Sequence, residues 1–159
     1  PYIVKSLLIA EGNLITGGGS GSRNITSNKK IDFINTAFPE LLNDVKKGAS
    51  TEEWMDVLAA SWSRCDVRGL YENAMALVNL SQNFEKDFLN LRIPSCFVYG
   101  EQNFPKDETA ATADIPNPER LESFGVKVEI LPHSGHELQI GNPQDFSELM
   151  HRFLQSQYK

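Results

Sequence analysis

Two of the three histidines in this chain stand three residues apart, in Leu131-Pro132-His133-Ser134-Gly135-His136, just after the apolar run Val126 to Leu131. Imidazole is the side chain that takes and returns a proton near neutrality, so the segment is a candidate for general acid-base chemistry. A general base of this kind belongs on a loop at the carboxyl edge of a parallel sheet. Crossover helices cover the two faces of such a sheet and leave that edge for ligands. His136 meets the requirement: Ser134 and Gly135 permit a tight exit from a strand, and Asn142-Pro143 restarts the chain into a helix. The competing reading is an ordinary loop histidine, since only a perturbed environment distinguishes a catalytic one. His133 is the nearer rival, and His151 is expected to be a solvated residue of the last helix.

The elements that must carry these residues alternate in type. Ser6 to Ala10 is a short apolar run closed by Glu11-Gly12-Asn13, the pattern of a strand buried on both faces. Gly17 to Ser22 is glycine- and serine-rich, lacks the Gly-Lys-Ser/Thr ending of a phosphate loop, and reads as a mobile loop. From Asn28 to Leu91 the apolar residues recur at helical spacing, with Ser50 or Thr51 as a candidate N-cap. Ile93 to Gly100 is a second strand, with Pro94 at its entrance where a missing donor is tolerated. A polar loop to Pro116, a helix over Pro118 to Phe124 and a third strand over Val126 to Leu131 follow. The terminal helix, Asp145 to Gln155, should turn Phe146, Leu149, Met150, Phe153 and Leu154 inward. Alternating strands and helices predict an α/β fold with a parallel sheet and right-handed crossovers. The all-helical stretch is too long for a simple crossover, so the expected domains are a core of residues 1–12 with 92–159 and a helical cap of 13–91.

Composition narrows the function. A net charge of −6 over 159 residues, without a Lys/Arg cluster, argues against nucleic acid as a partner. No apolar run approaches the length of a membrane span. Cys65 and Cys96 form no CxxC pair and no metal-ligand spacing, which predicts neither a zinc site nor a disulfide framework and fits a reducing, cytoplasmic setting. No metal or organic cofactor is called for. A chain opening on Pro1 is expected to come from a longer polypeptide.

Residues 126 to 154, with their strand, Leu-Pro-x-Ser-Gly-His loop, Asn-Pro pair and Phe-rich helix, resemble the last strand, histidine loop and final helix of α/β-hydrolases. Residues 93 to 103 resemble the preceding strand of that family. Glu11-Gly12-Asn13 followed by Ser22-Arg23 is similar to a branch of it, and the helical block fits its cap. The resemblance implies the C-terminal part of an α/β-hydrolase fold, with His136 as the histidine of a catalytic triad. The family's nucleophile elbow, Gly-x-Ser-x-Gly or an aspartate variant, has no counterpart here. Gly19-Ser20-Gly21 lacks the spacing, and Ser134 lies beside the base rather than opposite it.

The triad's third member must be a carboxylate that fixes the imidazole tautomer. The usual Gly-x-x-Asp position holds Asn103, whose amide carries no charge. Some hydrolases place the acid after the strand that precedes the cap, where this chain has Glu11; Glu101 is the next candidate, and Glu11 could equally be a carboxylate that accepts loop amides. Trp54, Trp62, Phe38 and Tyr71 could line a substrate pocket, although aromatics at helical spacing more often pack within the cap itself.

These expectations describe the C-terminal half of a serine- or aspartate-type hydrolase of ester-like small molecules, inactive alone and paired with its N-terminal half or with a second copy. A non-catalytic binding protein on a hydrolase scaffold, motivated by Asn103 and the missing nucleophile, is the alternative. A small parallel α/β domain of unrelated function is the third.

Overall fold

The computed structural model describes residues 4–16, 19–49, 53–103 and 116–156. They divide into two units, the residues up to Ile15 together with those from Ser81 onward, and Thr16–Leu80.

The first unit is built on three strands, β1 (Leu7–Ala10), β2 (Ser95–Gly100) and β3 (Lys127–Leu131), which form a parallel sheet in the order β1-β2-β3. Leu7 is opposite Ser95, and Cys96 is opposite Lys127, so all three strands run out at the same edge. Every residue of β2 is buried, which explains its unbroken apolar run: a central parallel strand has no solvent face. Its side chains alternate between two cores. Phe97 and Tyr99 pack with Leu14, Phe88, Leu89, Leu121 and Val126 on one face. Cys96 and Val98 pack with Leu131, Leu138 and Leu149 on the other. The unit is therefore α/β with a parallel sheet, as the alternation of elements predicts.

Several details differ from the sequence reading. Ser20–Thr26 is a helix, not a loop; Gly19 has the extended backbone of an N-cap, and Ile25 packs into an aromatic cluster that gives the turn a reason to wind. Gly17 and Gly18, like the proposed cap residues Ser50 and Thr51, lie outside the described residues. The final helix is Pro143–Ser156, and only Phe146, Leu149 and Phe153 reach the sheet. Met150 and Leu154 are exposed, because the i, i+3, i+7 stripe turns them to its flank. A short helix at Leu138–Gly141, unforeseen from the sequence, buries Leu138. The division of the chain falls at Ile15 and Ser81 rather than at 12 and 92: Leu14, Phe88 and Leu89 belong to the sheet's core, which draws the helix Phe84–Leu89 into that unit.

The second unit is all-helical. A turn at Lys30–Asp32 runs through a π-helical stretch, Phe33–Ala37, into the helix Phe38–Gly48. The Phe38 N–H bonds back to the Phe33 carbonyl just before Pro39, which has no N–H and whose ring crowds the preceding turn. The helix Val67–Val78 is capped by Asp66, which accepts from the Arg68 N–H at 3.0 Å. The core of the unit is aromatic: Phe33 lies 5.8 Å from Phe38 and 5.7 Å from Tyr71, and Phe38 lies 6.2 Å from Trp62. Phe38, Trp62 and Tyr71 thus pack on one another within the unit. The side chain of Trp54 lies outside the described residues.

Candidate active site

Glu11 is the first residue beyond β1, and its backbone is left-handed, with φ of 50°. That conformation costs a residue with a Cβ roughly 1–3 kcal/mol and persists only where the surroundings impose it. The surroundings here are hydrogen bonds at both ends of the residue. The Glu11 N–H donates to the Val98 carbonyl at 3.0 Å, continuing the sheet ladder by one residue. The carboxylate then turns toward the exit of β2, where Oε1 accepts the Gly100 N–H at 2.5 Å and Oε2 accepts the Asn103 side-chain amide at 3.3 Å. The carboxylate is almost wholly buried, its side chain 7% exposed.

The histidine loop is folded across the end of β2. The Glu101 N–H donates to the Leu131 carbonyl at 2.9 Å and the Gln102 N–H to the Ser134 carbonyl at 3.0 Å. Gly100 is required by this close approach, because a Cβ there would run into the carbonyls of Ser134 and Gly135. The Pro132 carbonyl accepts both the Ser134 hydroxyl and the Asn142 amide at 3.1 Å. Asn142 also accepts from the Asp145 N–H at 3.3 Å, so it ties the loop to the start of the last helix. His133 takes a left-handed backbone, φ 56°, with its N–H donating to Glu101 Oε2 at 2.9 Å.

The chain then delivers His136. Its Nδ1 lies 3.3 Å from Glu11 Oε2, while the ring is 68% exposed. The hydrogen bond to Glu11 raises the imidazole pKa above its ordinary value; partial burial works against the rise, and the charges of Glu11 and then Glu137 add to it. With Nδ1–H directed at the carboxylate, Nε2 on the other side of Cε1 is the nitrogen left to accept a proton.

The other sequence candidates are placed elsewhere. Glu101 is held by the His133 backbone, and its carboxylate lies 4.0 Å from a His133 ring that is almost fully exposed. His151 is on the exposed side of the last helix with Gln155 at 2.8 Å. Ser134 is completely buried. Ser20 sits in a helix of the other unit. The Cys96 thiol is pushed up to about 11 by burial and, secondarily, by Glu129, so it is an inert core group. Among the described residues no three His, Cys, Asp or Glu side chains converge as metal ligands. Sequence reasoning missed the donors that hold Glu11, the Gly100 N–H and the Asn103 amide. The signal for them was Gly100-x-x-Asn103 itself, which puts an amide where a strand exit faces the neighbouring strand.

The class of molecule these features define is an α/β unit carrying a carboxylate-imidazole pair at the carboxyl edge of a parallel sheet. No family model and no curated protein matches the sequence. Among solved structures, the fold is similar to NosK from Streptomyces actuosus, with a TM-score of 0.48 and 16% identity over 98% of this chain. It is likewise similar to MenH from S. aureus, with a TM-score of 0.49 and 13% identity over 98% of this chain. The chain spans 60% of the length of each of these two structures.

Proposed function

We propose that Glu11 and His136 are the acid and the base of an α/β-hydrolase triad, and that the chain is the C-terminal part of a serine- or aspartate-type hydrolase acting on an ester-like small molecule. The single observation that supports this most is the 3.3 Å approach of His136 Nδ1 to a buried carboxylate whose own backbone is held left-handed. In this reading anionic Glu11 fixes the Nδ1–H tautomer and stabilises the imidazolium. Nε2 takes the proton of the attacking group, a serine hydroxyl or, in the second step, a water, and returns it to the leaving oxygen. The helical unit, inserted in the chain between β1 and β2, is the cap of such an enzyme.

The nucleophile would come from polypeptide beyond these 159 residues. β1 has only β2 as a sheet neighbour among the described residues, and an apolar strand with an open edge invites pairing. The edge of β1 is therefore the place for the nucleophile-bearing part. A cytoplasmic setting fits the two free cysteines; among the described residues no helix is long and apolar enough to cross a membrane.

The test is reconstitution with the natural upstream polypeptide. Hydrolysis of an activated ester should then appear and be lost in His136→Ala. If the 159-residue chain alone hydrolyses the ester with the same dependence on His136, the missing-nucleophile reading fails. If the reconstituted protein neither turns over esters nor forms an adduct with a mechanism-based hydrolase probe, a binding protein on this scaffold is the better description.

A further inference from the structure

We infer that Asn103 is a positioning residue of this site: its side-chain amide holds the Oε2 edge of Glu11 toward His136 and keeps one carboxylate, rather than two, at the meeting point of the strand exits. The inference rests on the proposed pairing of Glu11 with His136 and says how that pairing is maintained.

Three contacts fix the Glu11 carboxylate, and they divide between its oxygens. The Gly100 N–H at 2.5 Å holds Oε1, while Asn103 Nδ2 and His136 Nδ1, each at 3.3 Å, share Oε2. Without Asn103 the carboxylate keeps one firm anchor and can turn about its terminal bond, taking Oε2 away from the imidazole. Asn103 is itself set in place by the strand exit. Its N–H donates to the Gly100 carbonyl at 3.0 Å, closing a tight turn over Gly100–Asn103. The same glycine that admits the histidine loop thus aims the amide.

The residue type follows from charge. An amide can donate to a carboxylate, as Asn103 Nδ2 does to Glu11 Oε2, whereas an ionised carboxylate has no hydrogen to donate. A carboxylate in the same place would confront Glu11 at hydrogen-bonding distance, and two such groups cannot both stay ionised. Asn103, standing where the hydrolase pattern has an acid, is then the complement of an acid that has moved to β1. The charged groups acting on His136 are Glu11 and Glu137; Glu101 faces His133 instead.

The experiment is an NMR titration of the His136 ring in the 159-residue chain, compared with Glu11→Gln, Asn103→Leu and the exchange Glu11→Gln/Asn103→Asp. Glu11→Gln should move the His136 midpoint down toward the ordinary imidazole value. Asn103→Leu should move it part of that way, although Glu11 and Glu137 remain. The exchange should recover part of the loss, since it restores one carboxylate and one amide on opposite sides. An unmoved midpoint in Asn103→Leu, or an exchange variant that titrates like Glu11→Gln alone, overturns the role of Asn103. An unmoved midpoint in Glu11→Gln instead overturns the Glu11–His136 pairing, so the two failures are distinguishable. Should Asn103→Leu fail to fold, the exchange variant decides.

Discussion

Two glutamates leave adjacent strands of the same sheet, and each meets a histidine of the same loop, yet the two contacts are physically different. Glu11, at the exit of β1, is buried, accepts two hydrogen bonds from the end of β2 and meets the ring of His136. Glu101, at the exit of β2, is 54% exposed and accepts a backbone N–H from His133, whose ring stays in solvent. The first arrangement perturbs an imidazole; the second pins a turn. Proximity of an acid to a histidine is thus shared by both, while removal from water and a hydrogen-bonding approach to the imidazole ring belong to one.

The strongest way to break this contrast is at Glu11. If the proposed triad operates in the reconstituted protein, Glu11→Gln should reduce kcat by about 10⁴-fold, the scale for losing the charged partner of a catalytic histidine. Glu101→Gln assayed beside it should retain activity; equal losses would make the two carboxylates equivalent and remove the distinction.

Gly100 serves both sites at once, and its substitution should come next in size. Gly100→Ala drives a methyl against the Ser134 and Gly135 carbonyls and should cost about 1–3 kcal/mol in a denaturation experiment, the usual penalty of overpacking. It should also shift the ring signals of His136, because the loop must move. A variant as stable as the parent would show that the loop does not rest on the strand end.

Glu101→Ala should change stability by no more than about 0.5 kcal/mol, since water can replace an exposed acceptor. The His136 titration midpoint should be unaffected.

The smallest effect concerns pH. The folded-state pKa of His136 is raised, so its contribution to stability is fully present below the unfolded imidazole value of about 6.5 and is lost as pH rises through the folded value. Unfolding free energy should therefore decline across that window, and the decline should flatten in Glu11→Gln. If His136 is the base of the proposed triad, the same shift should put the acid limb of kcat above about pH 6.5, because only neutral imidazole accepts a proton. A limb at or below that value would contradict the pairing.

Much of this was legible in the chain. The run Ile93 to Gly100, with Pro94 at its entrance, reads as a buried strand, and Leu131 to His136 has the punctuation of a strand exit. Ser20–Thr26 was not legible, because its winding comes from Ile25 packing against distant aromatics rather than from local signals. The inward stripe of the last helix was read too wide at Met150 and Leu154, since periodicity gives the apolar side but not how much of it the sheet covers.

The candidate site divides along the same line. The sequence alone determined which side chains could exchange protons, and that strand-type runs ended at Glu11, at Gly100 and before His136, because buried strands need apolar residues and turns need residues such as glycine, proline and asparagine. Tertiary structure decided which acid met which histidine. That choice depends on parallel register and on a loop crossing the bare backbone of Gly100, which bring residues 11, 103 and 136 within hydrogen-bonding distance although 92 and 125 positions of chain separate Glu11 from the other two.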